Sequence, residues 1–196
     1  PPVSPSTSAA AGFVREATLA DLEAIGRVHA TTMLASLEAA YQAAHDAPLP
    51  DGVAAMVAAP VVAAGWEQAI LAPPSSTHRV LVSVGEGGEV VGLVGVAPSP
   101  GDATGGVGPD AAARGLEITA LGVAPEQQRC GHGSRLLAAA TDQARAHGAD
   151  VLLIWAVRGD ESLTSFLQDA GLTPTDSHRE LPVGEGITED CWAAAL

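Results

Sequence analysis

Strand-type and helix-type patterns follow one another along the chain in an order that few folds allow. Strand-type runs occupy residues 13–16, 78–84, 89–97, 116–124, 151–157, 178–183 and 189–196. Stretches with apolar residues three or four positions apart separate them, as is typical of helices. Two such stretches, 18–33 and 34–45, follow the first strand, and others begin near residues 134 and 161. The order β-α-α-β-β-β-α-β-α-β-β predicts an α/β domain with a mixed sheet.

The chain is long enough to form one domain with a sizeable core, because it has 196 residues of which 47% are hydrophobic. We expect residues 1–12 to be a flexible N-terminal tail, residues 13–196 to be a single domain, and residues 98–113 to be a long mobile loop. No uninterrupted apolar run approaches the ~20 residues of a membrane span, and the tail does not resemble a signal peptide. With only two cysteines, far apart, a cytoplasmic, reduced protein is expected.

Charge excludes several classes of function. The chain has nine basic and 23 acidic residues, a formal net charge of −14, and no lysine. A Walker-type phosphate loop, a pyridoxal Schiff base and a lysine nucleophile are therefore excluded. The negative charge argues against nucleic-acid binding and suits a cationic small molecule or basic peptide as partner, although solubility is the simpler explanation. The six histidines lack the spacing of metal ligands, so no metal site is expected.

A glycine-containing loop joins a predicted strand to a predicted helix. Residues 128–134, called the glycine loop below, read Gln128, Arg129, Cys130, Gly131, His132, Gly133 and Ser134. Glycine costs about 0.5–1 kcal/mol relative to alanine in a helix, so bare backbone there suggests a function. The unpaired N–H groups and partial positive charge of a helix N-terminus bind phosphates. The loop therefore predicts a pyrophosphate cradle, with Arg135 adding charge; a plain strand-to-helix turn is the alternative.

Two common phosphate-binding loops do not fit this segment. A dinucleotide-binding turn would need a third glycine at position 136, where the chain has leucine. A P-loop would need a lysine, which the chain lacks.

The glycine loop resembles the Q/R-x-x-G-x-G/A motif of the GNAT superfamily, the acetyl-CoA-dependent N-acetyltransferases. The surrounding residues 116–137 are similar to that family's strand–loop–helix unit, and 165–172, SFLQDAGL, are similar to its later helix. The resemblance extends over residues 13–196 in the order of elements. It implies a GNAT-like acyl-CoA N-acyltransferase fold with a central mixed, mostly antiparallel twisted sheet of six to seven strands and about four flanking helices. It also implies transfer of an acetyl group from acetyl-CoA to a primary amine by direct attack.

The resemblance implies a set of coenzyme A contacts as well. The strand at 151–157 would splay away from the strand at 116–124 and leave a cleft for the cofactor. The strand before the glycine loop would hold the pantetheine arm, and the loop amides would hold the pyrophosphate. The implied cofactor-binding residues are Leu121, Gly122, Val123, Gln128, Arg129, Cys130, Gly131, His132, Gly133, Ser134, Arg135, Asp160 and Phe166.

The sequence departs from the family pattern at three positions. Cys130 stands where arginine or lysine is frequent, Asp160 where asparagine is frequent, and Leu167 where a tyrosine often protonates the leaving thiolate. Water or Ser165 would have to replace that acid. A non-catalytic acyl-CoA-binding protein of the same fold is therefore the alternative function. An interaction or dimer module with a vestigial pocket is a third.

Glu117 is the predicted catalytic base. It lies at the start of the strand 116–124, and strand alternation predicts that it shares a face with Thr119 and Leu121. A carboxylate there could deprotonate the amine directly or through water, whereas a solvated strand end is the other interpretation. The acceptor itself, a small-molecule or peptide amine, is not specified by the sequence, and a homodimer is compatible with it.

Overall fold

The computed structural model describes residues 12–99, 114–183 and 186–196. The predicted tail, except Gly12, and most of the predicted loop at 98–113 lie outside these residues. The strands are β1 (Phe13–Glu16), β2 (Arg79–Val84), β3 (Val90–Pro98), β4 (Gly115–Val123), β5 (Val151–Val157), β6 (Thr173–Glu180) and β7 (Thr188–Ala195). The α-helices are α1 (Leu22–His45), α2 (Asp51–Met56), α3 (Ala59–Leu71), α4 (His132–Ala146) and α5 (Glu161–Asp169).

The strands form one seven-stranded sheet in the order β1-β2-β3-β4-β5-β7-β6. Neighbouring strands are antiparallel, except that β4 and β5 run parallel. The predicted mixed, mostly antiparallel sheet is therefore confirmed. Helices α4 and α5 contribute Leu136 and Leu167 to the core on one side of the sheet, the α4 face. Helix α1 contributes Ile25 and Val28 to the core on the other side, the α1 face.

Helix α1 is one helix of 24 residues, so the prediction of two separate helices is wrong. Its first half packs on the sheet through Ile25, and its second half buries Leu37 in a cluster with Val57 and Ile187. Thr32, a weak helix former, donates its hydroxyl to the carbonyls of residues 28 and 29 and so stays inside the helix. Two other boundaries also differ from the prediction, since α4 begins at residue 132 and β6 at residue 173.

The segment Asp51–Leu71 is long and apolar enough to cross a membrane by length and composition alone, with 21 residues and a mean hydropathy of 1.4. It qualifies even though one charged residue, Glu67, interrupts its apolar run. In the structure it forms two helices, α2 and α3, separated at Val57, and both are shorter than the ~20 residues of a span. Helix α3 lies against α1, where a Cβ on Gly26 would be 2.6 Å from the Cβ of Ala63.

A bulge in β4 reverses the side-chain alternation that the sequence predicted. Gly95 of β3 pairs with Ala120, and the next pair skips Thr119, which is the extra residue. Leu121 consequently packs in the core of the α4 face, whereas Ala120 packs with α1. Glu117 precedes the bulge and lies on the α1 face. The prediction that Glu117 and Leu121 share a face is therefore wrong.

Candidate active site

Strands β4 and β5 separate part way along their length. Residues Gly115–Ile118 of β4 pair with Val151–Ile154 of β5, although β4 continues to Val123 and β5 to Val157. Beyond Ile118, one edge of β4 therefore has no strand partner on the β5 side among the described residues. The segment 121–123, predicted to hold the pantetheine arm, forms this open edge.

The glycine loop presents a run of free main-chain donors. Within the described part of the chain, the N–H groups of residues 129–134 make no hydrogen bond, and the first helical bond of α4 runs from Arg135 N to Gly131 O at 3.1 Å. Two loop residues adopt left-handed backbone conformations, Arg129 with φ 61° and Gly131 with φ 82°. Such a turn at a helix N-terminus directs successive N–H groups outward, which is the arrangement that binds phosphate oxygens.

The two loop glycines have different local roles. Gly131 is the N-terminal cap of α4, and its positive φ would strain any residue with a Cβ. Gly133 shows no such constraint; a Cβ there would lie 3.4 Å from the ring of Phe166, in ordinary contact. Phe166 of α5 therefore packs beside the loop, next to the amides predicted to bind phosphate.

Several side chains of the loop support the loop itself. Gln128 donates from Nε2 to the carbonyl of Val123 at 3.2 Å. Arg135 donates from Nη2 to the carbonyl of Cys130 at 3.3 Å and lies 3.2 Å from Nδ1 of His132. These contacts hold the loop closed around its free amides, so Gln128 and Arg135 act on the shape of the loop.

His132 contributes its backbone to the loop and its side chain to the core. The ring is buried, and its Nδ1 lies 2.7 Å from Oγ of the fully buried Ser83. Burial lowers the pKa of His132, and the nearby Arg135 lowers it further. The imidazole is therefore neutral near pH 7 and joins the start of α4 to β2. The prediction that His132 contacts coenzyme A then concerns its main-chain N–H.

The structure gives Asp160 and Leu167 clear structural partners. Asp160 caps α5, because Oδ1 accepts a hydrogen bond from the N–H of Leu163 at 2.9 Å, and Oδ2 accepts one from Ser36 of α1. Both carboxylate oxygens are thus engaged, and a cofactor contact by Asp160 stays a prediction. Leu167, at the position of the family's tyrosine, is fully buried, whereas Ser165 is exposed.

Glu117 is a half-buried carboxylate beside an indole and a guanidinium. Burial raises its pKa, while Arg179 opposes this effect and Glu189 adds to it. Trp155 also favours the charged form. Its Nε1 is buried but forms no hydrogen bond in the described residues, so the indole N–H lies near Glu117 without a bond of normal length. A carboxylate with a raised pKa is a stronger base than an exposed one.

Arg179 was not among the predicted site residues. It lies on β6, where its Nε donates to Oε2 of Glu189 on β7 at 2.7 Å. Its guanidinium carbon is 4.3 Å from the ring centroid of Trp155 on β5. The group needs residues from three strands, and Trp155 of β5 is distant from Arg179 in sequence, so the local pattern around residue 179 gives no signal for it.

His29 is a second titratable group on the α1 face. Its Nδ1 accepts a hydrogen bond from Nε1 of Trp66 at 2.9 Å, and burial lowers its pKa to about 4. Its accepting nitrogen is thus already occupied. A group with so low a pKa is a weak base at neutral pH. Glu117 is therefore the better base on this face.

Chemically, the site combines free main-chain amides, an open strand edge and a half-buried carboxylate. The amides and the open edge lie at the end of β4, and Glu117 lies near its start on the α1 face. In the described ranges 12–99, 114–183 and 186–196, no three His, Cys, Asp or Glu residues are grouped to hold a metal ion.

Comparisons with known proteins agree with this arrangement. The profile of the acetyltransferase (GNAT) family matches residues 37–171, more than half of the chain. The N-acetyltransferase PaiA from Thermoplasma acidophilum, in complex with coenzyme A, superposes with a TM-score of 0.69 and 13% identity over 94% of this chain and 99% of that one. YncA from Salmonella typhimurium, a putative acetyltransferase with acetyl-CoA, superposes with a TM-score of 0.59 and 19% identity. That match covers 94% of this chain and 93% of that one.

A third structure matches over a shorter length. A nourseothricin acetyltransferase gives a TM-score of 0.52 and 21% identity over 61% of this chain and 66% of that one. At these identities the structural matches establish the fold. The search of curated proteins found no match.

Proposed function

Because the chain belongs to the GNAT acetyltransferase family, we propose that it transfers the acetyl group of acetyl-CoA to a primary amine. Membership of the family supports acetyl transfer in general, and the amine acceptor is our inference. The run of free N–H groups at residues 129–134 carries the proposal: four belong to the N-terminus of α4, and the left-handed turn at Arg129 and Gly131 places two more beside them.

The residues present fit coenzyme A. The main-chain N–H groups of residues 129–134 would hold its pyrophosphate, and Phe166 would flank them. The open edge of β4 at 121–123 would bind the pantetheine amides by strand-like hydrogen bonds. When bound, acetyl-CoA supplies an activated acetyl thioester. Cys130 is exposed in the loop and would lie close to the phosphates.

Glu117 would remove the proton from the attacking amine. An ammonium group has no lone pair, so the amine must lose a proton before it attacks a carbonyl. Glu117 is half-buried on the α1 face, on the strand that forms the cleft, and would take this proton directly or through water. We assign it as the catalytic base.

One observation favours a second function, a non-catalytic acyl-CoA-binding protein. Leu167 stands where many relatives have the tyrosine acid, and it is fully buried. Ser36 and Thr32, hydroxyls of the nearby helix α1, already donate to Asp160 and to backbone carbonyls. Among these candidates the exposed Ser165 is the one hydroxyl left to protonate the leaving thiolate, with water as the other proton source.

Two measurements separate these functions. Calorimetric titration with acetyl-CoA tests the binding site, and the expected result is one saturable site. Release of free thiol is then followed with alkylamines, polyamines, amino acids, aminoglycosides and peptides as acceptors. Binding together with release supports transfer, whereas binding without release for any amine supports the second function. Absence of binding would refute both.

The exposed thiol of Cys130 and the buried thiol of Cys191 are both free. Free thiols suit a reducing compartment, so we propose the cytoplasm as the site of action. A small-molecule or peptide amine remains the proposed partner.

A further inference from the structure

The α1 face of the sheet carries a cation that base catalysis does not need. Arg179 is the one cation among the groups that perturb the pKa of Glu117. The protein as a whole has a net charge of −14, which attracts amines without help. A guanidinium near the base would repel a protonated amine that carries no negative group. Its presence therefore suggests an acceptor that carries a negative group.

Two contacts fix the guanidinium in place. Nε is bonded to Glu189 at 2.7 Å, and the planar group lies over the ring of Trp155 at 4.3 Å. The side chain remains 49% exposed. In the described part of the chain neither Nη atom has a hydrogen-bond partner, so the outer end of the guanidinium is free. This end has parallel N–H groups, which match the two oxygens of a carboxylate.

Trp155 connects the guanidinium to the base. Its ring lies under Arg179, and its Nε1 lies near enough to Glu117 to affect the pKa of that carboxyl. That Nε1 is fully buried beside Glu117, so the indole N–H serves this carboxylate and is closed to a substrate. The outer N–H groups of Arg179 are therefore the unused donors next to the proposed base.

We propose that the acceptor is a free amino acid, whose amine lies at Glu117 and whose carboxylate is bound by the outer N–H groups of Arg179, which Trp155 and Glu189 hold in place. This inference rests on the proposed acetyl transfer. A polyamine or an amine without an acid group would leave these donors unpaired and place a cation against a guanidinium, which discriminates against it. Arg179 is then a specificity-determining residue.

The experiment compares three matched forms of each acceptor. Free amino acids, their amides and the corresponding decarboxylated amines share a side chain and differ in the carboxylate. Thiol release gives kcat and KM for each. For the unaltered protein we expect the free acid to have kcat/KM about 10- to 100-fold above its amide and amine, through KM, because a charged hydrogen bond is lost.

The variant is Arg179→Gln combined with Glu189→Gln. Changing both partners leaves no unpaired buried carboxylate, and it removes two effects of opposite sign on the pKa of Glu117. We expect this variant to lose the preference for the free acid, and an unchanged affinity for acetyl-CoA in calorimetry shows that it is folded. The matched control is Arg158→Gln. Arg158 is paired with Asp190, which follows Glu189 on β7, so its side chain lies on the opposite side of the sheet from that of Glu189. The control should keep the preference.

The outcomes are distinct. A wild-type preference for amines or amides, or a double variant that still prefers the free acid, would overturn the amino-acid assignment and leave acetyl transfer standing. An equal loss for all three acceptor forms would give Arg179 a structural role and would also overturn it. If no amine in any form releases thiol, the proposed transfer fails, and this inference falls with it.

Discussion

The replacement Glu117→Gln is the most direct test of the catalytic assignment. Glutamine keeps the size of the side chain and removes its capacity to take a proton. Because Glu117 is half-buried among Trp155, Arg179 and Glu189, the uncharged amide is tolerated there at least as well as the carboxylate. We expect the protein to stay folded and to bind acetyl-CoA with unchanged affinity.

The magnitude and its pH dependence follow from the site. A positioned base contributes about 10²–10⁴-fold in rate, so kcat/KM at neutral pH should fall by that factor. Only the ionised carboxylate can accept a proton, and burial raises its pKa. The activity of the unaltered protein should therefore rise with pH through a pKa above the usual range of glutamate. The kcat/KM of the variant should lack this rise. It should recover in part at high pH, where more of the amine is neutral.

The assay is the initial rate of thiol release between pH 5 and pH 10, with the best acceptor of the panel. Glu180→Gln is the control, because Glu180 is an exposed carboxylate at the end of β6. A further check uses Arg179→Gln alone, which removes a cation that lowers the pKa of Glu117 and should move the rising limb to higher pH. The reasoning is refuted if Glu117→Gln retains near-normal kcat/KM with an unchanged profile.

Three other predictions concern the loop and the N-terminal region. Cys130 is exposed and Cys191 buried with a raised pKa, so mass spectrometry should show faster alkylation of Cys130, slowed by acetyl-CoA; equal rates or no protection would contradict its placement. Gly133→Val should abolish acetyl-CoA binding in calorimetry while the melting temperature stays near normal, whereas Gly131→Val should also lower that temperature because of its φ of 82°. The pKa of Asp21 falls from 3.8 to about 2 through its ion pair with an arginine, so at about 1.4 kcal/mol per unit Asp21→Asn should lower the free energy of unfolding in urea by about 2 kcal/mol at pH 7. That difference should disappear as the pH falls from about 4 through about 2, and a constant difference would refute the ion-pair account.

The sequence predicted the elements that local patterns specify. Each predicted strand has a counterpart in the sheet, and the glycine loop follows β4 and continues into the first turn of α4. The single helix α1 was missed because threonines near its middle lower helix propensity, whereas distant contacts stabilise it, since Leu37 packs with Val57 and Ile187. Tertiary packing decided what local propensity could not.

The bulge at Thr119 was missed for another reason. Alternation along a single strand cannot reveal an extra residue, because the bulge is defined by pairing with β3. A weak signal existed, since a glycine inside a strand often marks a bulge, and Gly95 lies opposite this one. A Cβ at that position would lie 2.6 Å from Oγ1 of Thr119 and from the ring of Trp66.

The group around Arg179 could not be predicted from the sequence at all. Its members come from β4, β5, β6 and β7, and the order of these strands in the sheet differs from their order in the chain. The sequence therefore identified a candidate base but not the cation and the indole next to it. The proposed specificity group depends on such long-range neighbours, whereas the glycine loop is a continuous segment and can be recognised directly.

Proton energetics explain why a chain of this kind can retain a base and lack an acid. An alkylamine has a pKa near that of lysine, about 10.4. At pH 7, more than three units below this pKa, removing its proton costs about 5 kcal/mol. A thiol has a pKa of about 8.5, so leaving as the free thiolate at pH 7 costs only about 2 kcal/mol relative to the thiol. The loss of a base is thus the larger penalty for this reaction. Leucine at position 167 fills the core and cannot protonate the thiolate, which is the smaller of the two contributions. Glu117, half-buried with a raised pKa, is suited to take the proton of the amine, which is the larger one.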